Sequence, residues 1–162
     1  PGRTGRNIEA KTVCALAQDV PNIRGLKEAS GDLGQASRIL RTLGATVPDF
    51  TLFSGNDNDT LPLLAIGGYG VVSVASHVAG PQMKEMLTAF HEGNLKRAAE
   101  LHLLLTPLFD ALFMPSSVNP APVKAALKLM GMDVGGLRLP LVPLSEEEVN
   151  QLRAAMKEVG LL

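Results

Sequence analysis

A chain of 162 residues, 46% of them hydrophobic, has the composition of a folded domain able to bury a core of its own. A formal net charge of -1 argues against nucleic acid as the main partner, which needs a concentrated basic surface. No apolar run approaches the roughly 20 residues that span a bilayer, and the single cysteine, Cys14, allows neither an internal disulfide nor a thiolate pair for zinc. The expectation is a reduced, cytoplasmic protein with an aliphatic core, since there is no Trp, one Tyr and five Phe.

The chain opens on "PGRTGRN", loop-like residues with no initiator Met, which reads either as a processed product or as a piece of a longer chain. "VPNIRGLKEAS" then carries a short apolar run after a proline and predicts a strand. "SGDLGQASRILRTLG" follows with helical spacing at Leu33, Ala36, Ile39, Leu40 and Leu43, and Gly44 is expected to stop the helix. "DFTLFSG" predicts a second strand, and "NDNDTLPLLAIGG" a short helix with an anionic start. "GVVSVAS", Gly70 to Ser76, is β-branched and apolar and predicts a fully buried third strand. "GPQMKEMLTAFHEG" predicts a helix with Pro81 in its first turn. After Asn94 the rhythm changes. "NLKRAAELHLLLTPLFDALF" predicts a long amphipathic helix, bent or interrupted at Pro107. "NPAPVKAALKLMG" and "SEEEVNQLRAAMKEVG" predict two more helices, the second with Ser145 and Glu148 in capping-box spacing.

Strands alternating with helices imply a parallel sheet with right-handed crossovers. Three strands do not close a barrel and would leave apolar edges open. The expected architecture is therefore an α/β fold, half of a (β/α)8 barrel over residues 1–93, followed by a helical region over residues 94–162. A small open α/β sheet is the alternative.

A strand of period two through "NIRGLKEAS" places Gly25, Lys27 and Ala29 on one face and turns Leu26 toward covering helices. In a barrel the first face is the interior, and chemistry sits at the carboxyl ends of the strands. A lysine desolvated there loses preference for its charged form and can attack a carbonyl to form a Schiff base. A second reading stands beside it: a strand-end lysine whose stem lies along apolar surface while its head stays in water.

"GLKEASGD" resembles the active-site strand of the dihydrodipicolinate synthase family, within the pyruvate-dependent class I aldolases that include N-acetylneuraminate lyase. "PGRTG", "LFSGND", "GGYGVVSV", "NPAPVKAAL" and "LRLPLVP" resemble further family segments, in family order. The chain is thus similar to the C-terminal portion of such an enzyme, a TIM barrel with a helical appendage. The resemblance implies that Lys27 forms an imine with pyruvate and that Arg3 binds the carboxylate of aspartate semialdehyde. It implies that the backbone carbonyl of Val72 lines the pyruvate site, and that Gly55 and Asn56 face it. Asn56 stands where many members have aspartate. The family's catalytic tyrosines and the threonine pair for the pyruvate carboxylate have no counterparts here and are expected in a preceding half. The implied activity is that of a lyase of diaminopimelate and lysine biosynthesis, with no metal and no organic cofactor, acting as a homotetramer or dimer. The alternatives are another pyruvate-dependent aldolase, such as the neuraminate lyase, or a non-catalytic half-barrel that assembles with another half.

"GGYG", Gly67 to Gly70, precedes a strand instead of joining strand to helix, so it fails as a nucleotide fingerprint. "NDNDT" lacks the glycine and glutamate of a calcium loop and reads as a helix start. His77 is expected at a helix start, and His91 and His102 on helices without a carboxylate partner.

Overall fold

The structure, a computed structural model, describes Gly2 and residues 4–162. Its elements run α1 (Ala10–Asp19), β1 (Gly25–Glu28), α2 (Leu33–Thr46), β2 (Thr51–Ser54), α3 (Thr60–Ala65), β3 (Gly70–Val71), α4 (Ser76–His91), α5 (Leu95–Leu112), α6 (Ala121–Leu129) and α7 (Glu146–Glu158). They form two compact units, the first ending at Ser73 and the second running from Val74 to Leu162.

In the first unit the strands pair in parallel in the order β1-β2-β3. Gly25 lies opposite Thr51, Lys27 opposite Phe53, and Phe53 opposite Gly70. On the helix-facing side Leu52 is fully buried among Val13, Cys14 and Ala17 of α1, Ala36, Ile39 and Leu43 of α2, and Leu63 of α3, with Leu26 packed against them. The expected orientation of Leu26 therefore holds. Helix α1 was not anticipated. Its N-cap residue, Glu9, makes no side-chain cap bond, so it lacks a start signal, although Val13, Cys14 and Ala17 bury one face of it.

Two expectations in this unit are corrected. Gly44 does not end α2, which runs to Thr46 and is closed by the Val47 N–H bonding to the Leu43 carbonyl. A glycine inside a helix costs about 1 kcal/mol relative to alanine, and packing of Leu43 and Val47 against the core outweighs it. The third strand spans Gly70–Val71 and not Gly70 to Ser76. One further ladder bond joins the Val72 N–H to the Ser54 carbonyl. A strand can be paired only as far as its neighbour extends, and β2 ends at Ser54. Nor is this segment fully buried, since Val72 is 48% exposed.

In the second unit α4 begins at Ser76, earlier than expected, but Ala79 is non-helical (φ -125, ψ 36). A proline clashes with the carbonyl four residues back and lacks a donor. Pro81 thus sits at the start of the segment that follows the kink, as its position predicted. Helix α5 continues past Pro107 without interruption. Leu105, Leu108, Phe109 and Leu112 are fully buried on both sides of the proline and hold the axis. The carbonyl that Pro107 leaves without a donor belongs to Leu103, on the exposed face. Helix α7 carries the expected capping box: Ser145 Oγ accepts from the Glu148 N–H, and Glu148 Oε2 accepts from the Ser145 N–H. Among the described residues no helix is long and apolar enough to cross a membrane.

Candidate active site at the carboxyl end of the first strand

Alternation along the three strands places Gly25 and Lys27, Thr51 and Phe53, and Gly70 on one face of the sheet. Val72, two residues beyond Gly70, belongs to the same side. Lys27 stands near the carboxyl end of β1. A Cβ built on Gly55 would fall 3.0 Å from Lys27 Cε and 2.6 Å from Ala29 Cβ. The Gly55 N–H donates to the Glu28 carbonyl at 2.6 Å. Gly55 is thus the close neighbour of the lysine stem, and only a residue without a side chain permits that approach.

The expected desolvation of Lys27 is corrected: the residue is exposed, as is Gly25, and Phe53 and Ala29 are half-buried. Leu26 and Glu28 point into the helical layer, whereas the face bearing Lys27 remains open to solvent. Tyr69, 63% exposed, closes one side of it by an edge contact to Phe53 at 5.3 Å between ring centroids.

Asn56 lies in the loop after β2, but its amide donates to Asp59 Oδ2 at 2.7 Å, and its backbone N–H donates to Ser54 Oγ. The side chain is engaged in shaping the start of α3. Arg3 lies outside the described residues. The next residues of its loop, Thr4, Arg6 and Asn7, line a cleft of about 220 Å³ together with Lys27, Glu28 and Ala29. His77 is the second residue of α4, exposed, with Nδ1 2.9 Å from the Val74 carbonyl, as expected of a helix start. Among the described residues no group of three or more His, Cys, Asp or Glu side chains is placed to hold a metal ion.

Sequence reasoning passed over Glu28, the residue beside the lysine. It is 8% exposed and accepts from the Ser30 N–H at 2.6 Å and from Gln35 Nε2 at 3.1 Å. Gln35, 4% exposed, accepts in turn from Asn7 Nδ2 at 2.7 Å. The signal was present: period two sends Glu28 to the same side as Leu26, and a carboxylate on a buried face requires donors.

Parallel strands with covering helices, a lysine at a strand's carboxyl end and glycines on its face define a β/α enzyme scaffold of the barrel type. The family model described as the Dihydrodipicolinate synthetase family matches residues 1–159, and the chain belongs to that family. It is 52% identical, over all of its length, to the 4-hydroxy-tetrahydrodipicolinate synthase of Moorella thermoacetica, of which it covers 53%. The dihydrodipicolinate synthase of Thermotoga maritima superposes with a TM-score of 0.95 at 48% identity, over 100% of this chain and 54% of that one. A dihydrodipicolinate synthase from Acinetobacter baumannii, determined in complex with pyruvate, superposes with a TM-score of 0.88 at 34% identity, over 100% of this chain and 54% of that one. The chain spans about half the length of the relatives it matches, and its fold is the C-terminal half of their (β/α)8 barrel with its helical C-terminal segment.

Proposed function

We propose that this chain supplies the nucleophile of a class I lyase that condenses pyruvate with aspartate semialdehyde to 4-hydroxy-tetrahydrodipicolinate, in diaminopimelate and lysine biosynthesis. The observation that carries this reading is Lys27 at the carboxyl end of β1, its stem packed closely against Gly55, on the open face of the sheet that also bears Gly25. The Lys27 amine attacks the C2 carbonyl of pyruvate, water leaves, and the resulting protonated imine acidifies C3, whose proton passes to a base to give an enamine. The enamine carbon attacks the aldehyde of the second substrate, forming the new C–C bond while the aldehyde oxygen takes up a proton, and the amino group of the semialdehyde then adds to the imine carbon, closing the ring and expelling the Lys27 amine.

In this reading the Val72 carbonyl lines the pyruvate site and Arg3 holds the carboxylate of the semialdehyde, a role suited to a guanidinium fork. Gly55 contributes space, and Asn56 acts through its backbone and through Asp59. Proton transfer and the grip on the pyruvate carboxylate fall to residues outside this chain. A complementary half-barrel would also cover the exposed face on which Lys27 lies and exclude water from it. The protein would act in the cytoplasm as a homo-oligomer, dimer or tetramer, apart from nucleic acid and membranes.

The test is borohydride trapping in a barrel completed by joining this chain to the N-terminal half of the Moorella relative. Incubation with pyruvate and borohydride is expected to leave one pyruvyl adduct at Lys27, lost in Lys27→Ala. An adduct mapping to another lysine would end the assignment.

A further inference from the structure

We propose that Glu28, Gln35 and Asn7 form a positioning relay that sets the loop before α1 against the imine-forming end of β1, and so governs capture of the second substrate. The inference rests on the reading of Lys27 given above. Lys27 and Glu28 are successive residues of one strand and point to opposite faces. Whatever fixes the Glu28 carboxylate therefore fixes the strand end from which Lys27 projects.

That carboxylate is held at both oxygens. Oε1 takes the Ser30 N–H, which ties down the turn leaving β1. Oε2 takes Gln35 Nε2, on the first turn of α2. Gln35 is itself placed by its backbone N–H donating to the N-cap carboxylate of Asp32 at 2.9 Å. Its Oε1 then accepts from Asn7, 28 residues away in sequence. Asn7 belongs to the exposed segment of residues 4–9 and lines the same cleft as Lys27. The Glu28 carbonyl meanwhile receives the Gly55 N–H. Three segments that border the lysine, residues 4–7, 29–31 and 54–56, thus converge on one buried glutamate.

The polarity of the relay is fixed. A carboxylate offers only acceptors, so Gln35 presents its amide nitrogen to Glu28, while its oxygen accepts from Asn7 Nδ2 at 2.7 Å and its nitrogen also reaches Asn7 Oδ1 at 3.4 Å. Of the relay's members only Asn7 lies at the surface. Loss of its bond frees a loop without disturbing the core, so the effect should fall on the substrate that the loop serves and not on imine formation.

The test uses the completed barrel described above. Asn7→Ala is expected to raise the KM for aspartate semialdehyde about tenfold, with the KM for pyruvate and the yield of trapped Lys27 adduct changed by less than about twofold, whereas Gln35→Glu, which also releases Glu28, is expected to raise that KM at least as much and to lower the adduct yield as well. Gln35→Glu places two carboxylates face to face. The exchange Glu28→Gln with Gln35→Glu restores a donor opposite an acceptor and is expected to return the semialdehyde KM to within about threefold of the parent. The proposal is overturned if Asn7→Ala leaves that KM unchanged or affects both substrates alike, or if the exchange fails to rescue. An unmodified barrel that forms no adduct at Lys27 would instead overturn the reading of the site itself, and the relay's catalytic role with it.

Discussion

Gly55 and Lys27 are positioned so that one methyl group would bring them into collision. A Cβ on Gly55 would stand 3.0 Å from Lys27 Cε, 3.0 Å from the Glu28 carbonyl oxygen and 2.6 Å from Ala29 Cβ. Gly55→Ala must therefore displace the lysine stem or part the loop from β1. Overpacking of this kind costs about 1–3 kcal/mol. The expected outcome is a lower denaturation midpoint together with a large loss of pyruvate trapping at Lys27. Adding Ala29→Gly removes the closest contact and should recover stability more than trapping, because the clash with the lysine remains. Trapping at the parental rate in Gly55→Ala would show that the glycine does not set the lysine's place.

The open sheet edges predict association. Among the described residues β1 and β3 each have one neighbour, β2. Unpaired parallel edges beside an exposed, partly apolar face recruit further strands. The 162-residue chain on its own should show a molar mass by light scattering that rises with concentration. A constant monomer mass up to high concentration would contradict this.

Helix α7 should respond to acid through its cap. Hydrogen bonds from the Ser116 side chain and then from the Ser145 N–H hold the Glu148 carboxyl below its ordinary value of 4.5. The folded pKa is depressed, so the stabilisation is fully present above 4.5 and is lost as pH falls through the lower folded value. Amide exchange in the first turn of α7 should accelerate over that acid window. In Glu148→Gln, which keeps a capping oxygen but does not titrate, the acceleration should disappear. An identical acid response in the two proteins would locate its cause elsewhere.

Two leucines of α5 separate burial from composition. Leu105 is fully buried and Leu103 is 70% exposed. Leu105→Ala should cost about 2–5 kcal/mol through lost transfer energy and the cavity left behind. Leu103→Ala should stay within about 0.5 kcal/mol. Urea denaturation of the two variants side by side reads the difference directly.

Chelation should leave the condensation rate of the completed barrel unchanged, because the imine supplies the electron sink that a metal ion would otherwise provide. Loss of activity with a strong chelator, restored by zinc, would refute this.

Local patterns in the sequence were enough to place the strands β1 and β2, the helical stripe of α2 from Leu33, the capping box of α7 and the side of β1 on which Lys27 lies. Each of these depends on residues within a few positions of one another: an alternation, a cap three residues from its partner, a helical stripe. Tertiary structure decided what depends on distant partners. The length of β3 follows from where β2 stops, and the continuation of α2 through Gly44 and of α5 through Pro107 follows from the leucines packed around them. The exposure of Lys27 depends on what covers its face, and no local pattern carries that information. The Glu28–Gln35–Asn7 chain joins positions 28 residues apart. A buried carboxylate announces in sequence that it needs donors, but only the folded chain determines which donors reach it.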